Sequence, residues 1–255
     1  MKVGVIMKKV SIFNIKGGVA KTTSTANLGA CLSQQGYKVL LIDIDPQANL
    51  TKLFKAYSMD ELSISDVLLD KTLDISKVIK NTDFKNIDII PSNITLTFTE
   101  KSILIDNTRS QQNRLSKALS ELNNKYDFCL IDCPPSLNMI TVNALCASDE
   151  VLVPIKIDKF ALDGLEYLLE SIDEIKDEFN PSLSFKGCFI TMDSATTVNR
   201  LIKKELKNLL GDKIFNTTIK QNVKVIESTF ECPVVFNSEK ARASINYKDL
   251  CNEVF

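Results

Sequence analysis

The stretch Val10-Ser11-Ile12-Phe13-Asn14-Ile15-Lys16-Gly17-Gly18-Val19-Ala20-Lys21-Thr22-Thr23 decides the fold. An apolar, β-branched run at residues 10–15 enters a glycine pair and leaves into a helical pattern at residues 21–35 that opens on Lys-Thr-Thr. Strand, tight turn and helix in that order make a phosphate loop. Gly17 and Gly18 let the backbone turn its N–H groups inward, and the helix N-terminus adds a favourable dipole. In such a loop Lys21 reaches the β- and γ-phosphates and the Thr22 hydroxyl binds Mg²⁺. The usual G-x-x-x-x-G-K-[ST] spacing fails twice, because Ile15 and Ala20 occupy its glycine positions. Ala20 is expected to be tolerated there only with a negative φ. Taken alone, the stretch also reads as a Gly-Gly turn bearing an exposed lysine.

Two further segments carry the reading outward. Leu40-Leu41-Ile42-Asp43-Ile44-Asp45-Pro46-Gln47 and Phe128-Cys129-Leu130-Ile131-Asp132-Cys133-Pro134-Pro135 each end an apolar strand on carboxylates. Those carboxylates lie at the carboxyl edge of the sheet, where open α/β sheets bind ligands. Asp132 is placed to hold the Mg²⁺ shell through water, as a Walker B aspartate does, and Asp45 to orient the attacking water. Either aspartate alone could merely cap a turn, but all three segments in order point to a nucleotide site.

Apolar strand patterns alternate with helical ones along most of the chain. Strands are expected at residues 10–15, 38–44, 87–91, 128–132, 150–155, 184–191 and 213–218. Helices are expected at 21–35, 110–125, 137–147, 161–179, 198–210 and 240–254. This is the pattern of an α/β P-loop NTPase, a doubly wound, mostly parallel sheet with helices on both faces. Residues 47–86 read as surface helices and loops over one edge. No repeat or Pro/Gly/Ser-rich hinge divides the chain, so residues 1–255 are expected to form a single domain, with no helix-turn-helix before the loop.

The chain has 255 residues, 31 Lys+Arg against 32 Asp+Glu, no His and 7 Cys. Without an imidazole, Ser-His-Asp and Cys-His nucleophile pairs and His-containing zinc sites are excluded. The odd number of cysteines, scattered through apolar stretches with no C-x-x-C pair, reads as buried reduced thiols. No apolar run has the length of a spanning helix or of a signal peptide, so the expectation is a cytoplasmic protein without a membrane partner.

The motifs Lys16-Gly17-Gly18-Val19-Ala20-Lys21-Thr22-Thr23, Asp43-Ile44-Asp45-Pro46-Gln47-Ala48-Asn49 and Leu130-Ile131-Asp132-Cys133-Pro134-Pro135-Ser136-Leu137 resemble those of the deviant-Walker ATPases of the ParA/MinD superfamily. The likeness is greatest to the ParA-type partition ATPases. That resemblance implies ATP and Mg²⁺ as cofactors and a homodimer with two nucleotides at its interface. It also implies a nucleoid-associated protein that binds double-stranded DNA without sequence preference and hydrolyses ATP slowly, stimulated by a centromere-binding (ParB-type) partner. Residues 16–23 would cradle the phosphates, and Lys16 would reach those held by the other subunit. The chain departs from the family in Ala195, near a common arginine position, and in Lys220-Gln221, where Pro-Arg is common. These departures fall on the adenine pocket and the DNA contacts.

A DNA surface is suggested by seven basic residues against two acidic ones over residues 196–224, a local net of +5 that leaves −6 elsewhere. Arg200, Lys203, Lys204, Lys207, Lys220 and Lys224 are its candidate phosphate contacts. The helix at 198–210 is expected to put Val198, Leu201, Ile202, Leu206, Leu209 and Leu210 on the opposite face. An ordinary solvated helix face is the plain alternative. Two other functions remain open: a MinD-like division-site regulator, against which the acid-balanced tail at 246–255 makes a poor membrane anchor, and a metabolic or electron-transfer relative, for which Cys133 is the one candidate iron–sulfur ligand.

Overall fold

The computed structural model describes residues 6–122, 124–158 and 162–255. Its strands are β1 (Lys8–Ile12), β2 (Val39–Asp43), β3 (Lys80–Asn81), β4 (Ile87–Ile90), β5 (Phe128–Asp132), β6 (Glu150–Lys156), β7 (Ser184–Asp193) and β8 (Ile214–Lys220). The helices are α1 (Lys21–Gln34), α2 (Asn49–Leu53), α3 (Ile64–Leu69), α4 (Leu96–Ile105), α5 (Arg114–Leu119), α6 (Met139–Ala147), α7 (Asp163–Glu178), α8 (Thr197–Leu210), α9 (Val223–Ser228), α10 (Val234–Asn237) and α11 (Arg242–Val254).

The strands form one sheet in the order β3-β4-β2-β5-β1-β6-β7-β8, parallel except for the β3–β4 pair. Strands β1, β2 and β5 are buried on both faces, which is why their sequences run apolar without alternation. One core packs α3 to α8 against one face, and a second packs α1, α10 and α11 against the other. From β1 the chain winds to β2 on one side, and β6 lies on the other. The carboxyl end of β1 is therefore a topological switch point.

Several expected boundaries shift. Residues 47–86 hold α2, α3 and the antiparallel edge strand β3, and Ile64, Leu68 and Ile75 are fully buried, so the segment supplies core as well as surface. The helix expected over 110–125 is α5 followed by a 3₁₀ turn at Ser120–Leu122. Helix α4 stands where no helix was expected. The start of the helix expected at 161–179 falls outside the described residues. Tail residues Tyr247, Leu250, Cys251 and Val254 are buried in the α1 face of the core, and no described helix is long and apolar enough to cross a membrane.

The exposed end of the sheet is protected. Glu253 of α11 accepts the backbone N–H groups of Asn216 and Thr217 at 2.7 and 2.8 Å, which occupies donors on edge strand β8.

Candidate active site

The loop from β1 into α1 is pinned from three sides. Asn14 donates through Nδ2 to the Pro154 carbonyl at 2.8 Å, and its Oδ1 accepts the Lys16 N–H at 2.9 Å. From β7, the buried Thr191 hydroxyl bonds the carbonyls of Val19 at 3.1 Å and Ile155 at 3.3 Å. Of the loop's backbone donors these contacts use only the Lys16 N–H. Among the described residues none of the backbone N–H groups of residues 17–23 finds an acceptor. A run of unspent amides at a helix N-terminus is an anion cradle.

Ala20 does not keep the expected negative φ. It caps α1 at φ 67°, in the left-handed region, as Gly18 does at 68°. The physical reason is the cradle itself, because positive φ values in the loop turn successive N–H groups to one side. For an L-residue that conformation costs roughly 1–2 kcal/mol.

Lys21 begins α1 and is buried, its ammonium donating to the carbonyls of Asn14 and Lys16, each at 2.9 Å. Burial pulls its pKa below the usual lysine value, and the charges of Asp132, Cys133 and Asp45 act against that fall. The Lys16 ammonium lies 3.1 Å from the Asp158 carboxylate, on the rim of the loop.

The carboxylates meet at one rung of the sheet, where Asp43 and Asp132 are register partners on β2 and β5 and Ile12 of β1 lies beside Asp132. Asp43 is fully buried and fully used: Oδ1 accepts from Asp45 N at 3.0 Å, and Oδ2 from Thr51 N and Oγ1 at 2.8 Å. Desolvation raises its pKa to about 6 against those hydrogen bonds. Asp132 is 1% exposed; its Oδ1 lies 3.5 Å from the Thr25 hydroxyl, and among the described residues its Oδ2 is buried with no hydrogen-bond partner. Burial and then the Asp43 charge push its carboxyl well above the carboxylate range, opposed by the Thr22 hydroxyl. An orphaned carboxylate oxygen behind a phosphate cradle fits a hard divalent cation. Asp45 is half-exposed beyond that rung, with Oδ1 accepting the Gln47 N–H at 2.9 Å.

Beside the loop lies a pocket of about 110 Å³ whose apolar wall is Met192, Ile219, Val225, Ile226 and Tyr247 and whose polar rim includes Lys220, Gln221 and Asn222. Ala20 and Thr23 close it on the loop side. Met192 also has a positive φ, 50°. Two strained non-glycine residues thus line one small pocket, which is where function concentrates strain.

The basic cluster divides. Asp193, at the end of β7, is buried, and its Oδ2 accepts from Lys203 Nζ at 2.7 Å, from Thr218 Oγ1 at 2.9 Å and from Lys220 Nζ. Burial would raise this carboxyl, but the hydrogen bonds from Lys203, Lys220 and Thr218 outweigh it and hold the pKa at about 2. Lys224 pairs with Glu227 at 2.7 Å, and Lys207 lies 3.9 Å from Asp212. Arg200 and Lys204 are exposed with no ion pair among the described residues. On α8 only Leu206 of the expected apolar face is fully buried, Ile202 and Leu210 pack partly, and Val198, Leu201 and Leu209 are exposed.

Cys133, the candidate iron–sulfur ligand, is 1% exposed, so its thiol does not face a neighbouring subunit. Sequence reasoning missed Thr51, Thr191 and Asn14 as site-building residues. Asn14 lies inside the quoted loop stretch and Thr191 ends the strand expected at 184–191, but Thr51 carries no signal beyond its place eight residues after Asp43.

Residues 7–185 match the family model described as "AAA domain". The chain is 38% identical over 250 residues to the sporulation initiation inhibitor protein Soj of Bacillus subtilis, covering 97% of this chain and 98% of the relative. It is 37% identical over 253 residues to the chromosome partitioning protein ParA of Caulobacter vibrioides, covering 97% and 94%. Among solved structures, cobyrinic acid a,c-diamide synthase from Mycobacterium smegmatis, with an ATP analog and magnesium bound, superposes with a TM-score of 0.84 at 30% identity, covering 97% and 93%.

Proposed function

From the premise that the chain belongs to the ParA-type partition ATPases, we propose that it binds ATP and Mg²⁺ at the carboxyl end of β1, dimerises on ATP and partitions DNA. The observation that carries this reading is the run of unspent N–H groups at residues 17–23 in front of the partnerless Asp132 oxygen. Two relatives of similar length are Soj and ParA, and a structural neighbour holds an ATP analog with magnesium.

In this reading residues 16–23 hold the phosphates, and Lys21 exchanges its two carbonyl acceptors for phosphate oxygens. Thr22 and Asp132 would hold the Mg²⁺. The metal supplies charge neutralisation of the β- and γ-phosphates. Asp45 orients a water for attack on the γ-phosphorus as the bond to the ADP oxygen breaks. The pocket under Met192 and Tyr247 takes the base. Lys16 leaves Asp158, an exposed pair worth at most about 1 kcal/mol, and reaches the phosphates bound by a second copy, so dimerisation completes the site. Arg200 and Lys204, with Lys207 beside them, supply the main phosphate contacts to double-stranded DNA, and a ParB-type centromere-binding protein accelerates slow hydrolysis.

The test is equilibrium binding of ATP with and without Mg²⁺, followed by sedimentation of the mixture with and without DNA. Wild-type chain is expected to bind ATP, dimerise and carry DNA with it. Lys21→Ala should lose ATP, Lys16→Ala should keep ATP and lose the dimer, and Asp45→Ala should accumulate the ATP dimer. Undiminished turnover in Asp45→Ala would remove its role with water.

A further inference from the structure

A cavity of about 530 Å³ opens between α1, α2 and the turn that follows α9. That volume falls within the range of small-molecule sites, roughly 300–1,000 Å³. It lies across Thr23 from the pocket under Met192 and Tyr247, and among the described residues Thr23 is the one side chain that lines both.

The floor is fixed by bonds within the chain. Asn27 donates through Nδ2 to the Thr23 carbonyl at 2.8 Å and accepts the Val235 N–H at 3.1 Å, which ties α1 to α10. Ser228 and Thr229 donate their hydroxyls to the carbonyls of Val225 and Ile226, at 2.8 and 2.7 Å.

The rim is different. Among the described residues Lys52 is the one charged group of the lining, so the cavity is positive. Its ammonium donates to the Gln47 carbonyl at 2.8 Å and stands 5.4 Å from the centre of the Tyr57 ring, which holds it in place with donors to spare. The Asn49 amide makes no hydrogen bond among the described residues. Phe230, in the turn after α9, is 85% exposed, an aromatic face turned to water at the mouth of a polar cavity. ATP bound as described above puts its phosphates on residues 16–23 and its base under Met192, which leaves Lys52, Asn49 and Phe230 without a role.

We propose that this cavity binds a small heteroaromatic anion of mononucleotide size, at a site separate from that of ATP. The ring stacks on Phe230, and its nitrogen and oxygen atoms meet the Asn49 amide, which both donates and accepts. The anionic group takes the free donors of Lys52 in a charge-assisted hydrogen bond. A bare anion leaves Phe230 uncovered, and an uncharged ring leaves Lys52 unanswered, so the two halves together select the ligand.

The test is calorimetric titration of the full chain, saturated with a non-hydrolysable ATP analogue and Mg²⁺, with AMP, GMP, CMP and UMP. Adenosine and inorganic phosphate serve as the separate halves of AMP. At least one monophosphate is expected to bind, one per chain, with the analogue still in place, and about tenfold or more tighter than either half. Phe230→Ala should weaken it about tenfold or more, and Lys52→Ala should reduce AMP to the affinity of adenosine. Both side chains are exposed, and unchanged thermal midpoints check that the variants fold. Absence of binding by all four monophosphates would overturn the site, as would phosphate binding as tightly as AMP. A monophosphate that binds only by displacing the analogue, or that binds Phe230→Ala as it binds wild type, would do the same. Failure of the chain to take the analogue would instead count against the ATPase reading, and the Phe230 and Lys52 variants of the bare chain would still decide the cavity.

Discussion

Asp43 and Asp132 face each other across one rung of the β2–β5 ladder, both buried, yet they have opposite states: Asp43 accepts three hydrogen bonds and Asp132 keeps one oxygen with none. The first carboxylate builds the loop that carries Asp45. The second is left unsatisfied by the protein, and an unsatisfied buried acceptor costs stability unless something outside the chain completes it.

The two should therefore respond to amidation with opposite signs. Asp132→Asn removes a buried charge and is expected to raise the thermal midpoint of the nucleotide-free chain by roughly 2–4 °C for each kcal/mol relieved, while Mg²⁺-dependent ATP turnover falls by about 100-fold or more. Asp43→Asn turns one acceptor into a donor that meets other donors, and should lower the midpoint at a cost of about 2 kcal/mol. Thermal scans of both variants decide the matter, and shifts of the same sign would undo the assignment.

The same pair predicts a pH dependence. Burial raises both carboxyls, Asp43 to about 6 from an ordinary 3.8, so the folded chain binds more protons than the unfolded one across that interval. Their contribution to stability is complete below the ordinary value and is lost as pH climbs through the raised one. The gain in midpoint given by Asp132→Asn should accordingly widen as pH rises above 4. A gain that shrinks with rising pH would contradict the burial argument.

Ala20 offers a test of the loop. Its left-handed backbone is strained for alanine and not for glycine. Ala20→Gly should stabilise the fold by about 1 kcal/mol, with ATP affinity retained, because the N–H groups keep their direction. Ala20→Val, β-branched at the same φ, should lower both stability and ATP affinity. A fall in midpoint for Ala20→Gly would show that the strain is absent.

What could be read from the sequence follows from range. The buried parallel strands announce themselves as continuous apolar runs, and β5 was expected at the very residues it occupies. The three motif segments needed only their order along the chain. Helix α4 escaped because Thr-Phe-Thr and Ile-Leu-Ile favour strands locally, and only the packing of Leu96, Thr99 and Ile103 into the core makes the segment helical. The positive φ at Ala20 answers the cradle's demand for inward N–H groups, which residue preference alone does not carry. The holding of Asp43 by Thr51 and the loop contacts of Thr191 are side-chain bonds that no local pattern encodes. The basic cluster shows the same limit, since counting charges could not reveal the carboxylate that sits on Lys203 and Lys220.

That carboxylate sorts the lysines by what each can release. Binding to DNA displaces counterions in proportion to the phosphates neutralised, with a slope of about 0.9 per contact in log affinity against log salt. Arg200 and Lys204 have their charge free for phosphate, so Arg200→Ala or Lys204→Ala should each reduce the slope by about that amount per protomer. Lys203 and Lys220 are already balanced by Asp193. Lys203→Ala should leave the slope nearly unchanged and lower the thermal midpoint instead, because it strips one partner from a buried carboxylate. Asp193→Asn should do the reverse for binding, steepening the slope as both lysines lose their counter-charge. Measured DNA affinities over a salt series decide it, and a slope that falls as much for Lys203→Ala as for Lys204→Ala would mean that the Asp193 cluster opens when DNA binds.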